Sequence, residues 1–163
     1  MPTDSSLSTT NFAALVAAAA PSVREVMPWE VDQMRQTDPD LLVVDVREAD
    51  EFAQVHIAGS LHVPRGVLEA ACDWGYPDTV PALARARLLP IVLVCRSGSR
   101  TVLAAQSLMQ MGFLHVMSMK TGVRGWNDYD LPMVDACGQR VDGDTADTLI
   151  NPPVRADQLA PKA

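Results

Sequence analysis

Ile91-Val92-Leu93-Val94 is an unbroken run of β-branched and aliphatic residues, the mark of a strand buried on both faces. Beyond Cys95-Arg96-Ser97-Gly98-Ser99-Arg100, the residues Val102, Ala105, Leu108, Met109 and Gly112 recur at helical spacing. A buried strand, a turn too short for anything but a tight loop, and a helix must therefore follow one another. Cys95 stands at the strand-to-helix junction.

Further segments repeat the alternation. Val23 to Val26, Leu41 to Val46, Leu61 to Val63 and Val116 to Met119 read as strands. Helices are expected over Pro28 to Met34, with proline in the first turn, over Ala49 to Gln54, and over Pro81 to Leu88, entered from Asp78-Thr79. Strands separated by helices need crossover connections, so the fold class is α/β: a central parallel sheet with helices on both faces. Active sites in such sheets lie beyond the carboxyl ends of the strands. Cys95 is at one such end and Asp45-Val46-Arg47 at another.

Around this domain, placed at residues 23–135, two appendages are expected. Residues 1–22 hold a helix capped at Thr10 or Asn11 and ending before Pro21. Residues 136–163 are polar, contain Pro152-Pro153, and are expected to form a loosely ordered tail. The stretch from Arg65 to Tyr76, broken by Gly66 and Gly75, reads as an irregular excursion near the pocket rim.

Gly98 is free to take a positive φ, and the small serines 97 and 99 let several backbone N–H groups point inward as a nest. Those donors, the positive end of the following helix and the guanidinium groups of Arg96 and Arg100 all favour a thiolate over a thiol. A packing cysteine would have apolar neighbours; this one is followed by Arg-Ser-Gly-Ser-Arg. Cys95 reads as a nucleophile. Two reactions use a cysteine in an anion-cradling loop: phosphate-ester hydrolysis through a phosphocysteine, and sulfur transfer through a persulfide.

The loop from Cys95 to Arg100 resembles the six-residue active-site loop of the rhodanese family of sulfurtransferases, whereas the related cell-cycle phosphatases carry one residue more. Leu41-Leu-Val-Val-Asp45-Val46-Arg47-Glu48, with Glu51-Phe52 and His56-Ile57-Ala58-Gly59-Ser60 running to Pro64, is similar to that family's first signature. Thr121-Gly122-Val123-Arg124-Gly125-Trp126 is similar to its second. Two departures are Val55, where the family usually has Gly, and Thr121, where Gly-Gly is frequent.

The resemblance implies a single-domain rhodanese that moves sulfane sulfur from thiosulfate, or a similar donor, to a thiophilic acceptor such as cyanide or a thiol. Cys95 would carry the sulfur as a persulfide within the loop of Arg96, Ser97, Gly98, Ser99 and Arg100, with both arginines binding the donor's oxyanion. The related mercaptopyruvate sulfurtransferases usually have a small residue where Arg96 stands, which favours an oxyanion donor. A non-enzymatic sensor or scaffold and a cysteine-dependent phosphatase are the alternative classes.

The 163-residue chain, 48% hydrophobic and 20% charged, suits one core. A net charge of −7 argues against nucleic acid or an anionic membrane as partner, so an anionic donor must be attracted locally. A partner's thiol or protein cysteine could accept the sulfur. Cys72, Cys95 and Cys137 are widely spaced and odd in number, which is neither a disulfide framework nor a zinc pattern. No cofactor or metal is expected. The alanine-rich residues 13–20 follow a segment with Asp4 and no basic residue, unlike an export signal, so a cytoplasmic location is expected.

Near the cysteine, Arg47 is expected in a structural ion pair and His56 in a structural hydrogen bond, since sulfur transfer from thiosulfate needs no general base. Asp45 is expected to hold backbone donors, and Trp126 and Cys72 to pack the core.

Overall fold

The computed structural model describes residues 9–162. In chain order these form helix α1 (Phe12–Ala19), strand β1 (Arg24–Val26), α2 (Pro28–Thr37), β2 (Leu42–Asp45), α3 (Ala49–Gln54), β3 (Leu61–His62), α4 (Leu68–Ala71) and α5 (Pro81–Ala84). They continue through β4 (Pro90–Val94), α6 (Ser99–Gln110), β5 (His115–Met119), α7 (Gly122–Asp128), β6 (Met133–Val134), β7 (Arg140–Val141) and α8 (Gly143–Ile150).

Strands β1 to β5 make one parallel sheet in the order β1-β5-β4-β2-β3. Because side chains alternate along a strand, β4 supplies Ile91 and Leu93 to one apolar layer and Val92 and Val94 to the other. Val44 joins the first layer and Val43 the second. Both faces are covered, which is why these strands read as continuous apolar runs. The register sets Asp45 opposite Val94, so the two strand ends carrying the expected chemistry lie side by side.

The first layer is closed by α6, where Val102, Ala105 and Leu108 are buried at helical spacing. Met109, expected on that stripe, is instead 42% exposed. Helix α1 rests against α6, with the Asn11 side chain accepting from the Ala14 amide at 2.8 Å as N-cap. Of the expected appendage over 1–22, residues 1–8 lie outside the described residues.

Helix α5 is shorter than the expected Pro81 to Leu88. Beyond Ala84 the Ala86 and Leu89 amides bond three residues back, to Leu83 and Ala86, as turns do. Pro90 then favours an extended residue before it.

Residues 136–150 depart from the loose tail expected over 136–163, whereas residues 151–162 are mostly irregular and exposed. β6 and β7 pair antiparallel, and α8 follows with Asp142 as N-cap, accepting from the Thr145 amide at 2.9 Å. Ala146 and Ile150, one turn apart, are buried in the second apolar layer, and α8 packs on α7 and α3. Two buried residues one turn apart, with Leu149 beside them, suffice to dock a mostly polar helix.

Candidate active site

Cys95 closes β4 and is 1% exposed. The Gly98 amide donates to its Sγ at 3.2 Å. Gly98 has φ +89°, and a Cβ there would meet the Met119 carbonyl and the Thr121 nitrogen at 3.1 Å, so glycine is required both by conformation and by space. Helix α6 begins at the next residue, which places the positive end of its dipole at the loop.

Beneath the sulfur lie two fully buried hydroxyls. Thr101 Oγ1, on α6, is 3.6 Å from Cys95 Sγ, donates to the Gly98 carbonyl at 3.1 Å, and is 2.7 Å from Ser118 Oγ on β5. Sequence reasoning missed this pair. The available signal was Ser118, a lone polar residue in a strand that is otherwise apolar beyond His115.

The second signature holds the loop from outside. The Val123 amide donates to the Cys95 carbonyl at 2.9 Å and the Arg124 amide to the Arg96 carbonyl at 3.1 Å. A Cβ on Gly122 would drive into those same two carbonyls. Thr121, the departure from Gly-Gly, takes φ +69°, a left-handed conformation that strains a β-branched residue.

The first signature is tied together by an ion pair. Arg47 meets Asp45 with Nη2 2.9 Å from Oδ2, both residues buried, and also donates to the Val55 carbonyl at 2.6 Å. Asp45 Oδ1 accepts the Arg47 amide at 3.0 Å as well. His56 bonds the Phe52 carbonyl through Nδ1 at 2.8 Å and stacks on the Phe52 ring. Trp126 is fully buried and donates to the Pro132 carbonyl at 3.0 Å.

The two loop arginines are in different situations. Arg100 forks onto Glu51 of α3, at 2.8 and 2.9 Å. Burial alone would raise the Glu51 carboxyl; hydrogen bonds from Arg100 and the Glu48 amide, with the charges of Arg100 and Arg47, outweigh it and hold it at about 2. Glu51 also accepts onto its own helix cap, bonding the Glu48 amide at 2.9 Å. Arg96 forms no side-chain hydrogen bond or ion pair among the described residues, and its Nε is buried without a partner. It lines a cavity of about 210 Å³ whose walls include Asp50, Gln54, Leu149 and Pro152, and an open hollow of about 390 Å³ that includes Arg155 and Gln158. The C-terminal segment thus builds one wall beside Arg96.

Of the remaining loop residues, Ser97 is exposed and Ser99 half-buried. Burial pushes the Cys72 thiol up to about 11, with the Arg87 charge opposing and Glu69 reinforcing, so it stays protonated in the core. Cys137 is exposed on the turn between β6 and β7. Among the described residues no helix is long and apolar enough to cross a membrane, and no three His, Cys, Asp or Glu side chains gather as a metal site. A further hollow beside Phe113 and His115 lies at the start of β5, the opposite end of the sheet from Cys95.

Comparison with known proteins gives the same assignment. Residues 27–129 match the model of the rhodanese-like domain. A sulfurtransferase of Allochromatium vinosum is 30% identical over 112 residues, which cover 69% of this chain and 95% of that protein. The thiosulfate sulfurtransferase GlpE of Pseudomonas aeruginosa is 32% identical over 104 residues, 63% of this chain and 83% of its own length. A solved structure from Rhodopseudomonas palustris, described as a protein of unknown function and possible tyrosine phosphatase, superposes with a TM-score of 0.69 at 26% identity, covering 77% of this chain and 95% of that one. Of relatives in Bacillus subtilis and Escherichia coli, the chain spans 52% and 62% of the length. With the matched stretch running from α2 through α7 and both signatures seated on the Cys95 loop, this chain belongs to the rhodanese-like domain family.

Proposed function

We propose that the chain transfers sulfane sulfur through a persulfide on Cys95, taking it from a small oxyanion donor such as thiosulfate. The observation that carries this reading is the Gly98 N–H aimed at Cys95 Sγ in a loop whose Arg96 guanidinium has no side-chain partner among the described residues. An amide donor stabilises negative charge on sulfur, and a free guanidinium can receive an oxyanion by forked, charge-assisted bonds.

In the first half-reaction the Cys95 thiolate attacks the outer sulfur of thiosulfate. The Sγ–S bond forms, the donor's S–S bond breaks, and sulfite leaves with the electron pair. A thiophilic acceptor, cyanide or a thiol, then attacks the outer sulfur of the persulfide, and the pair returns to Sγ. Arg96 takes the oxyanion; Arg100, gripped by Glu51, adds its charge to the loop without offering its fork. Ser97, Gly98 and Ser99 supply backbone donors. A reducing cytoplasm suits a chain that works through a thiolate.

The names of the Allochromatium and Pseudomonas relatives support sulfur transfer, and the second supports thiosulfate as donor. The Rhodopseudomonas neighbour is the one observation favouring phosphate-ester hydrolysis. The six-residue loop, one residue short of that in the related cell-cycle phosphatases, and the enclosed Cys95 sulfur weigh against it.

Steady-state turnover over a panel of donors and acceptors tests the reading. Parallel double-reciprocal lines, as a ping-pong scheme requires, and loss of turnover in Cys95→Ser are expected. Turnover that survives Cys95→Ser would refute it.

A further inference from the structure

We infer that Thr101 and Ser118 form a two-hydroxyl relay that donates a hydrogen bond to the Cys95 sulfur whenever that sulfur carries negative charge. The inference rests on Cys95 being the sulfur carrier and concerns what lies behind it, on the side away from substrate.

Thr101 Oγ1 has three neighbours: Cys95 Sγ at 3.6 Å, the Gly98 carbonyl at 3.1 Å and Ser118 Oγ at 2.7 Å. It has one proton and two lone pairs to share among them. Ser118 makes no other side-chain hydrogen bond among the described residues, and both residues are fully buried. A buried hydroxyl proton without an acceptor is costly, so Ser118 donates to Thr101. That leaves the Thr101 proton for either of two acceptors. While Cys95 is a neutral thiol or a persulfide, it goes to the Gly98 carbonyl, as in the geometry here. When Sγ is a thiolate, before attack on the donor or after the acceptor has broken the Sγ–S bond, the hydroxyl turns to the sulfur, because a charged acceptor makes the stronger bond.

No proton leaves threonine in either step; the electron pair arriving on Sγ is met by a reoriented donor. The Gly98 amide points at the sulfur in both arrangements and only the Gly98 carbonyl gives up the threonine proton, so the loop backbone need not move. Thr101 touches the reacting sulfur and is a catalytic residue. Ser118 reaches only Thr101 and is a positioning residue.

The charged groups around the sulfur are Arg96 and Arg100 of the loop, Asp45 and Arg47 from the end of β2, Glu51 from α3, Lys120 ahead of α7 and Arg124 within it. The variants below leave all of them in place.

The test is the pH titration of the Cys95 thiolate by its ultraviolet absorbance, taken as the difference from Cys95→Ser and read without donor or acceptor. Thr101→Val, nearly isosteric, is expected to raise the midpoint by about one unit, a tenfold smaller thiolate fraction at a given pH. Thr101→Ser is expected to restore the wild-type midpoint. Ser118→Ala is expected to raise it less, and to add nothing once Thr101 is Val. A midpoint unmoved in folded Thr101→Val overturns the relay, as does a Ser118→Ala shift that persists without the hydroxyl at 101. If Thr101→Val does not fold, Ser118→Ala alone decides, and no shift there overturns it. Failure of the relay leaves the persulfide intact by mass measurement; failure of the sulfur-transfer reading removes it.

Discussion

The guanidinium of Arg100 grips the carboxylate of Glu51 with two hydrogen bonds, 2.8 and 2.9 Å long, across 49 residues of sequence. This clamp ties the first turn of α6 to α3, and so the cysteine loop to the first signature. It also divides the labour of the loop's two cations. In the proposed reaction Arg100 braces the loop and Arg96 meets the donor.

Arg96→Ala is therefore expected to lower the second-order rate with thiosulfate about tenfold to a hundredfold, the worth of a charge-assisted bond of roughly 1.5–3 kcal/mol. Transfer from preformed persulfide to cyanide should change little, because cyanide makes no forked contact. Single-turnover kinetics of the two half-reactions separate these steps. Equal losses in both would show that Arg96 acts on the loop and not on the donor.

The clamp has a pH signature. Glu51 is held at about 2 against an ordinary value of 4.5, so the stability it contributes is present in full above pH 4.5 and is lost as pH falls toward 2. The pair is roughly a quarter exposed, which limits it to about 1 kcal/mol. Urea unfolding followed across that window should show a shallower acid loss in Glu51→Gln than in wild type. An identical acid limb in the two proteins would place the acid sensitivity elsewhere.

Cys72 and Cys137 should behave oppositely toward a maleimide at neutral pH. Cys137 is exposed and should label quickly; Cys72, buried and pushed up to about 11, should label only after unfolding. Peptide mapping of the native protein checks this. Rapid native labelling of Cys72 would mean that the core around it opens.

A chromogenic aryl phosphate should be hydrolysed no faster by wild type than by Cys95→Ser. The loop is a residue shorter than in the related cell-cycle phosphatases, and its sulfur is enclosed. Cys95-dependent hydrolysis at a useful rate would shift the assignment toward the reaction suggested for the Rhodopseudomonas neighbour.

Which of these features the sequence discloses follows from the range of the interaction involved. Strand β4, its loop and α6 were legible because their hydrophobic period switches within a dozen residues at Cys95. An ion pair for Arg47, flanked by carboxylates at a strand end, is legible for the same local reason; that its partner is Asp45, expected only to hold backbone donors, is not. Arg96 and Arg100 carry equal charge in the sequence and differ only in that Glu51, far along the chain, reaches one of them. Thr101 and Ser118 meet because α6 packs on β5, which no local pattern states. Helix α8 was missed because its apolar face is only Ala146, Leu149 and Ile150 among polar residues. Its packing on α7 and α3 supplies what propensity alone does not.

The central claim is that Cys95 carries the sulfur. Intact mass measurement after incubation with thiosulfate tests it most directly. One added sulfur atom is predicted in wild type, lost on treatment with cyanide, retained in Cys72→Ser and Cys137→Ser, and absent in Cys95→Ser. A sulfur adduct that persists in Cys95→Ser would contradict the account.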